Sequence, residues 1–180
     1  MKNPLSEQLR LHNGPDGFND EKDRDAVRNF FSIDKSWCEF VKECFQITGP
    51  VDELRPDPLG QKKVDLGLYQ NNVLLGLIEV DHYIDWNPNW PDNYRWCHAL
   101  VRKVKYWQGV GLPYIACTLN MQGDKMLVST DEMQRDFMFT KKKKQVKLNG
   151  ERVNDFFLEI PLRIAKKFGS WTPEELKRVS

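Results

Sequence analysis

A chain of 180 residues with 27 basic and 26 acidic side chains carries a net charge of +1. No overall basic excess draws it to nucleic acid, so any such binding must use local patches. Hydrophobic residues at 40% and charged residues at 29% exclude a fibrous or low-complexity chain and suit one domain with room for a proper core.

No N-terminal apolar segment is long enough for a signal peptide or a membrane span, so a soluble, intracellular protein is expected. Cys38, Cys44, Cys97 and Cys117 form neither a CxxC pair nor a Cys/His cluster with zinc spacing. Reduced core thiols are the expected state.

Residues 1–24 are polar and turn-rich, with acidic residues crowding Asp16 to Asp25, and read as a solvated arm. A helix, in one or two pieces, follows. Ile33, Trp37, Phe40, Val41, Cys44 and Phe45 recur at the spacing of one helical face, Ser32 fits as N-cap, and Gly49-Pro50 stops the run. Glu39 and Glu43 lie one turn apart on it, and either could join a site only if the helix docks that way. Residues 50–61 carry three prolines and a glycine and predict a loop or short edge strand.

Lys62 to Tyr83 (KKVDLGLYQNNVLLGLIEVDHY) holds two apolar runs, Val64–Tyr69 and Val73–Val80, on either side of Asn71-Asn72. Asn tolerates positive φ, which predicts two strands and a tight turn. The runs lack the alternation of a half-exposed sheet, so both faces should be covered. Asp65, Glu79 and Asp81 sit inside this apolar hairpin. Buried carboxylates are costly unless paired, hydrogen-bonded or bound to a metal.

Glu79 and Asp81, two apart, share a face of a strand. With a three- or five-residue loop centred on Asn72, Asp65 lies opposite Glu79 and Lys63 opposite Asp81, and all four side chains converge. A strict two-residue turn would pair Asp65 with Ile78 and put Glu79 on the other face. A bulge, for which Gly67 or Gly76 is a natural site, would restore the convergence. His82 points away from Asp81 and is peripheral.

Residues 84–96 set Trp86, Trp90, Tyr94 and Trp96 among prolines and asparagines, which rules out regular structure. Such rings either stack on unpaired bases or fold inward as a local core. The segment RWCHALVRKVKYWQGVG then predicts a helix with Trp96, Leu100, Val101, Val104 and Trp107 apolar and Gly109 or Gly111 closing it. Arg95, Arg102, Lys103 and Lys105 make it the most basic helix in the chain, either a solvated face or a phosphate-binding one.

Leu112–Leu119 and Lys125–Ser129 read as strands, and Thr130–Phe139 as a helix capped by Thr130 or Asp131. The run Lys141–Lys147 is either a solvated turn or the densest positive patch. Asn149-Gly150 predicts a hairpin joining Gln145–Leu148 to Arg152–Ile160. From Pro161 a final helix over LRIAKKFG and a capped turn at SWTPEEL are expected. No repeat, linker or second domain is visible.

An Asp-bearing strand, a Glu-x-Asp strand, a basic helix and a buried strand, in that order over residues 32–120, resemble the PD-(D/E)XK or restriction-endonuclease-like nuclease superfamily. The resemblance implies an α/β fold: a single domain, its central mixed β-sheet flanked by helices on an αβββαβ core, with 121–180 as elaboration on the sheet edge. It implies Asp65 as the first carboxylate, Glu79 as the second and Asp81 at the third position. In that family the two acids bind one or two divalent cations, usually Mg2+ (or Mn2+), and the third residue, typically Lys, orients or deprotonates the attacking water.

Asp81 departs from that pattern. It is then a further metal ligand, or Lys63 or Lys103 supplies the ammonium, or Lys63 and Asp81 form a cross-strand ion pair and the site is inert. The implied partner is nucleic acid, DNA first, with many members acting as homodimers and no membrane involved. Arg102, Lys105, Lys141, Lys142, Lys143, Lys144, Trp86 and Trp90 are the candidate nucleic-acid contacts. Two functions are carried forward: a metal-dependent nuclease, and a catalytically inactive nuclease-like fold serving as a nucleic-acid-binding or assembly module.

Overall fold

The computed structural model of the protein describes residues 20–56, 58–60, 64–82, 95–148 and 151–180. Two helices, α1 (Asp20–Ile33) and α2 (Lys35–Cys44), precede the meander β1 (Glu53–Pro56), β2 (Leu66–Gln70) and β3 (Val73–His82). Then come β4 (Trp96–Leu100), α3 (Val101–Val110), β5 (Tyr114–Leu119), β6 (Lys125–Thr130) and α4 (Asp131–Asp136). A 3-10 turn at Met138–Thr140, β7 (Lys142–Leu148), β8 (Glu151–Pro161), β9 (Lys166–Gly169) and α5 (Pro173–Arg178) complete the chain.

The main sheet runs β1-β2-β3-β5-β6-β9, and β4-β8-β7 form a second, three-stranded one. β1, β2 and β3 are antiparallel neighbours, whereas β5 lies parallel to β3, so α3 serves in the crossover between them. This is an α/β domain with a mixed sheet and an αβββαβ core, as the order of elements implied. β6 and β9 extend the sheet past β5, and Pro56 ends the edge strand β1 without removing a needed ladder donor.

Both faces of the main sheet are covered, which explains the unbroken apolar runs. Leu66, Leu68, Ile78, Val80, Ile115 and Val128 pack under Val27 and Phe30 of α1 and Trp37 and Val41 of α2. On the opposite face Leu77 and Tyr114 meet Val104 and Trp107 of α3 and Leu158 of the second sheet. Among the described residues no helix is long and apolar enough to cross a membrane. All four cysteines are free, and burial pushes the Cys97 thiol up to about 12.

Several expectations are corrected. Residues 20–24 belong to α1 rather than to a solvated arm. The cap of α2 is Asp34, whose carboxylate accepts from the Trp37 N–H, while the Ser32 hydroxyl donates to the Arg28 carbonyl within α1. Trp96–Leu100 is a strand: its spacing fits a helix, but pairing with β8 through Cys97↔Ile160 and Ala99↔Leu158 overrides that preference. The segment after Pro161 turns and becomes β9 on the edge of β6, not a helix. Lys142–Leu148 is likewise a strand, not a turn. The dipeptide Asn149-Gly150 lies outside the described residues, but β7 and β8 are neighbours as predicted, Leu148 opposite Glu151.

Candidate active site

The hairpin uses the strict two-residue turn. Gln70 pairs with Val73, and Asn71 and Asn72 take φ of 52° and 61°, the left-handed pair that matches strand twist. That register alone would send Glu79 to the face opposite Asp65. It does not persist. Tyr69 pairs with Leu74 but Leu68 with Gly76, leaving Leu75 as the extra residue of a β-bulge. Beyond it Leu66 pairs with Ile78, the last pair of the ladder, and Asp65 stands at a bend just before β2. Gly76, beside the bulge, also makes room for the Phe45 ring that seals the end of α2, since a Cβ there would stand 2.3 Å from it.

Leu77 points to the α3 side of the sheet, and alternation carries Glu79 and Asp81 to the same side. Glu79 is 2% exposed, and Lys103, on the inner side of α3, places its ammonium against Glu79 Oε1. Beyond that ion pair, neither carboxylate oxygen has a hydrogen-bond partner among the described residues. Asp65 faces β3 at its carboxyl end: Oδ2 accepts the Val80 N–H at 2.9 Å, and Oδ1 lies 3.9 Å from Arg24 of α1. Asp81 is pushed up to about 7, by burial first and then by the negative charges of Asp65 and Asp23, with Arg102 pulling the other way.

Asp23 is the residue that the sequence reading missed. It is 6% exposed on the first turns of α1, and its charge acts on Asp81. The signal was present: Asp23, Val27 and Phe30 recur at i, i+4 and i+7, which puts Asp23 on the apolar face of the helix. Glu39 instead pairs with Lys35 at the solvent surface, and Glu43 lies near Gly111 and Pro113, by the opposite end of β5. Neither helix acid joins the site.

The structure pairs Lys103 with Glu79 and sets Asp65 within electrostatic reach of Asp81. Arg102 stands at the margin, its Nε 2.9 Å from Asp155 of β8, and Lys105 is exposed on the outer side of α3. Lys141, Lys142, Lys143 and Lys144 lie at and along β7 in the second sheet. Lys63, Trp86, Trp90 and the side chain of His82 lie outside the described residues.

Among the described residues no three Asp, Glu, His or Cys side chains stand together so that they could hold a metal ion. Asp65, Glu79 and Asp81 are oxygen donors of the kind a hard divalent cation takes. Glu79 presents two buried oxygens countered by Lys103, and Asp81 is raised by burial first and then by Asp65 and Asp23, a negative charge that a cation there would offset.

No family model and no curated protein matches the chain. Among solved structures it is similar to a nuclease from a fusselovirus, with 17% identity and a TM-score of 0.41 over 74% of this chain and 82% of that one. A likeness that distant carries no argument about activity; the side chains must.

Proposed function

We propose that the chain is a metal-dependent nuclease of the PD-(D/E)XK kind, hydrolysing phosphodiester bonds of DNA at the β2–β3 hairpin. The observation that supports this best is the set of charged groups at the end of the bulged hairpin. The bulge shifts the register so that Leu66 rather than Asp65 meets Ile78, and at the end of the hairpin Asp65 is held on the Val80 N–H within electrostatic reach of Asp81 while Glu79 is buried against Lys103.

Asp65, Glu79 and Asp81 would hold Mg2+ or Mn2+. When bound, that cation supplies a water of lowered pKa and neutralises charge on the scissile phosphate. The chain's own groups divide the remaining work. Lys103 stands in for the lysine that Asp81 replaces, its ammonium already placed at Glu79 from the following helix. Arg24 and Arg102 flank the acids on α1 and α3 and offer positive charge to the approaching backbone. The Val80 N–H fixes the Asp65 carboxylate in one orientation, which preorganises the site.

The test is cleavage of supercoiled plasmid, single-stranded DNA and RNA with magnesium or manganese, against a chelator and the Asp65→Ala variant. Metal-dependent cutting of DNA by the wild type, lost in the variant, is the expected outcome. No cutting, together with no manganese binding by calorimetry, would sink the enzyme and leave the inactive nucleic-acid-binding module as the reading.

A further inference from the structure

The second sheet has one face in the core and one turned outward. Cys97 and Ala99 of β4 and Leu158 and Ile160 of β8 are buried in the core, so alternation sends Trp96, His98 and Phe157 to the other face, with Glu159 on that face but 5% exposed beneath the lysines. The register places Lys142 across from Phe157 and Lys144 across from Asp155 on that same face. Lys142 lies 2.7 Å from Glu159 and 6.0 Å from the Trp96 ring centre. Lys144 lies 3.4 Å from Glu159 and 6.0 Å from the Phe157 ring centre. Trp96 keeps 38% of its surface in water, an unusual exposure for so large an apolar ring.

We propose that this outward face is a platform for single-stranded DNA, its rings stacking on unpaired bases while Lys142, Lys144 and Arg102 take phosphates with the N–H donors not spent on Glu159 and Asp155. The inference deepens the nuclease reading and rests on it for the substrate's destination. Rings interleaved with ammonium groups are the combination that binds single strands without regard to sequence, because every base has a π-face. A duplex keeps those faces inside its own stack. A protein partner fits poorly, since lysine is depleted at protein interfaces.

RNA is disfavoured by the acceptors: Glu159 is buried beneath Lys142 and Lys144 and Asp155 is mostly covered beside Arg102, so little carboxylate surface faces a 2′-hydroxyl. Arg102 links the platform to the catalytic carboxylates. Its guanidinium bonds Asp155 on this sheet, its charge acts on Asp81, and the next residue is Lys103. A strand lying across the rings therefore leads toward the hairpin.

The test is fluorescence anisotropy of labelled oligo-dT, the same length of duplex DNA, and oligo-rU, all in chelator so that binding is read without cleavage. Wild type should bind oligo-dT most tightly. Trp96→Ala should weaken it about tenfold, within the range that loss of one stacked base produces, and Trp96→Phe should restore most of the loss. Should Trp96→Ala fail to fold by circular dichroism, Lys142→Gln decides: it should weaken binding and lower the salt slope by about 0.7, one phosphate contact's worth on a single strand.

Tighter binding of duplex or oligo-rU, or affinities unmoved by these substitutions, would overturn the platform. That failure is separate from failure of the nuclease reading, which is decided by metal-dependent cutting and Asp65→Ala.

Discussion

Glu79 and Lys103 define what is unusual at the level of single residues. A carboxylate at 2% exposure with one ammonium against it is stable only while that ammonium stays, because removing one partner strands an uncompensated buried charge. Lys103→Met should therefore cost about 3 kcal/mol in urea unfolding, far more than an exposed lysine on the same helix such as Lys105→Met. If the site binds a cation as proposed, millimolar magnesium should return part of that loss, since the ion supplies the missing positive charge. A Lys103→Met variant as stable as the wild type would show that Glu79 is protonated or otherwise satisfied, and Lys103 would lose its place in the site.

Among the elements, the hairpin decides the outcome, and its geometry depends on one glycine beside one extra residue. Gly76→Ala would drive a Cβ into the Phe45 ring at 2.3 Å, an overpacking expected to cost about 1–3 kcal/mol. If Phe45 yields instead, the melting temperature will hardly move.

Much of this element was legible in the sequence. Asn-Asn between two apolar runs pointed to the turn, and the need to gather three acids on one face required either a longer loop or a bulge. Which of the two occurs was not legible, because a register shift leaves no mark in composition and is set by how Phe45 and Leu74 pack on either face. β4 was misread for a related reason. Trp96, Leu100 and Val101 carry helical spacing, and only β8, some sixty residues later, makes the segment a strand. The segment after Pro161 has the same history with β6. Asp23 escaped because an acidic stretch reads as solvated until the apolar face of α1 is traced back through it.

For the whole molecule Asp81 and the half-buried His98 set opposing pH dependences. Burial, and then the nearby Lys144 ammonium, lower His98 to about 4 against its ordinary 6.5, although Glu159 pulls it upward. The unfolded chain binds that proton first, so this group removes stability as pH falls from about 6.5 toward 4. Asp81 behaves in the opposite sense. The folded protein keeps a proton on it up to about 7 that the unfolded chain gives up near 3.8. The native state therefore holds more protons between those values, and stability from this group falls as pH rises through them.

Asp81→Asn, which copies the protonated shape without the charge, isolates the second effect from the first. In chelator the variant should match the wild type near pH 4 and exceed it above pH 7 by a margin on the order of 3 kcal/mol, read from urea midpoints across the pH range. Magnesium should narrow that margin at pH 8 by stabilising the wild type and not the variant, because a cation takes the place of the proton on Asp81. A margin that is the same at both ends of the pH range would mean that Asp81 ionises as freely as in the unfolded chain, and the proposed cation site would lose the uncompensated negative charge it rests on.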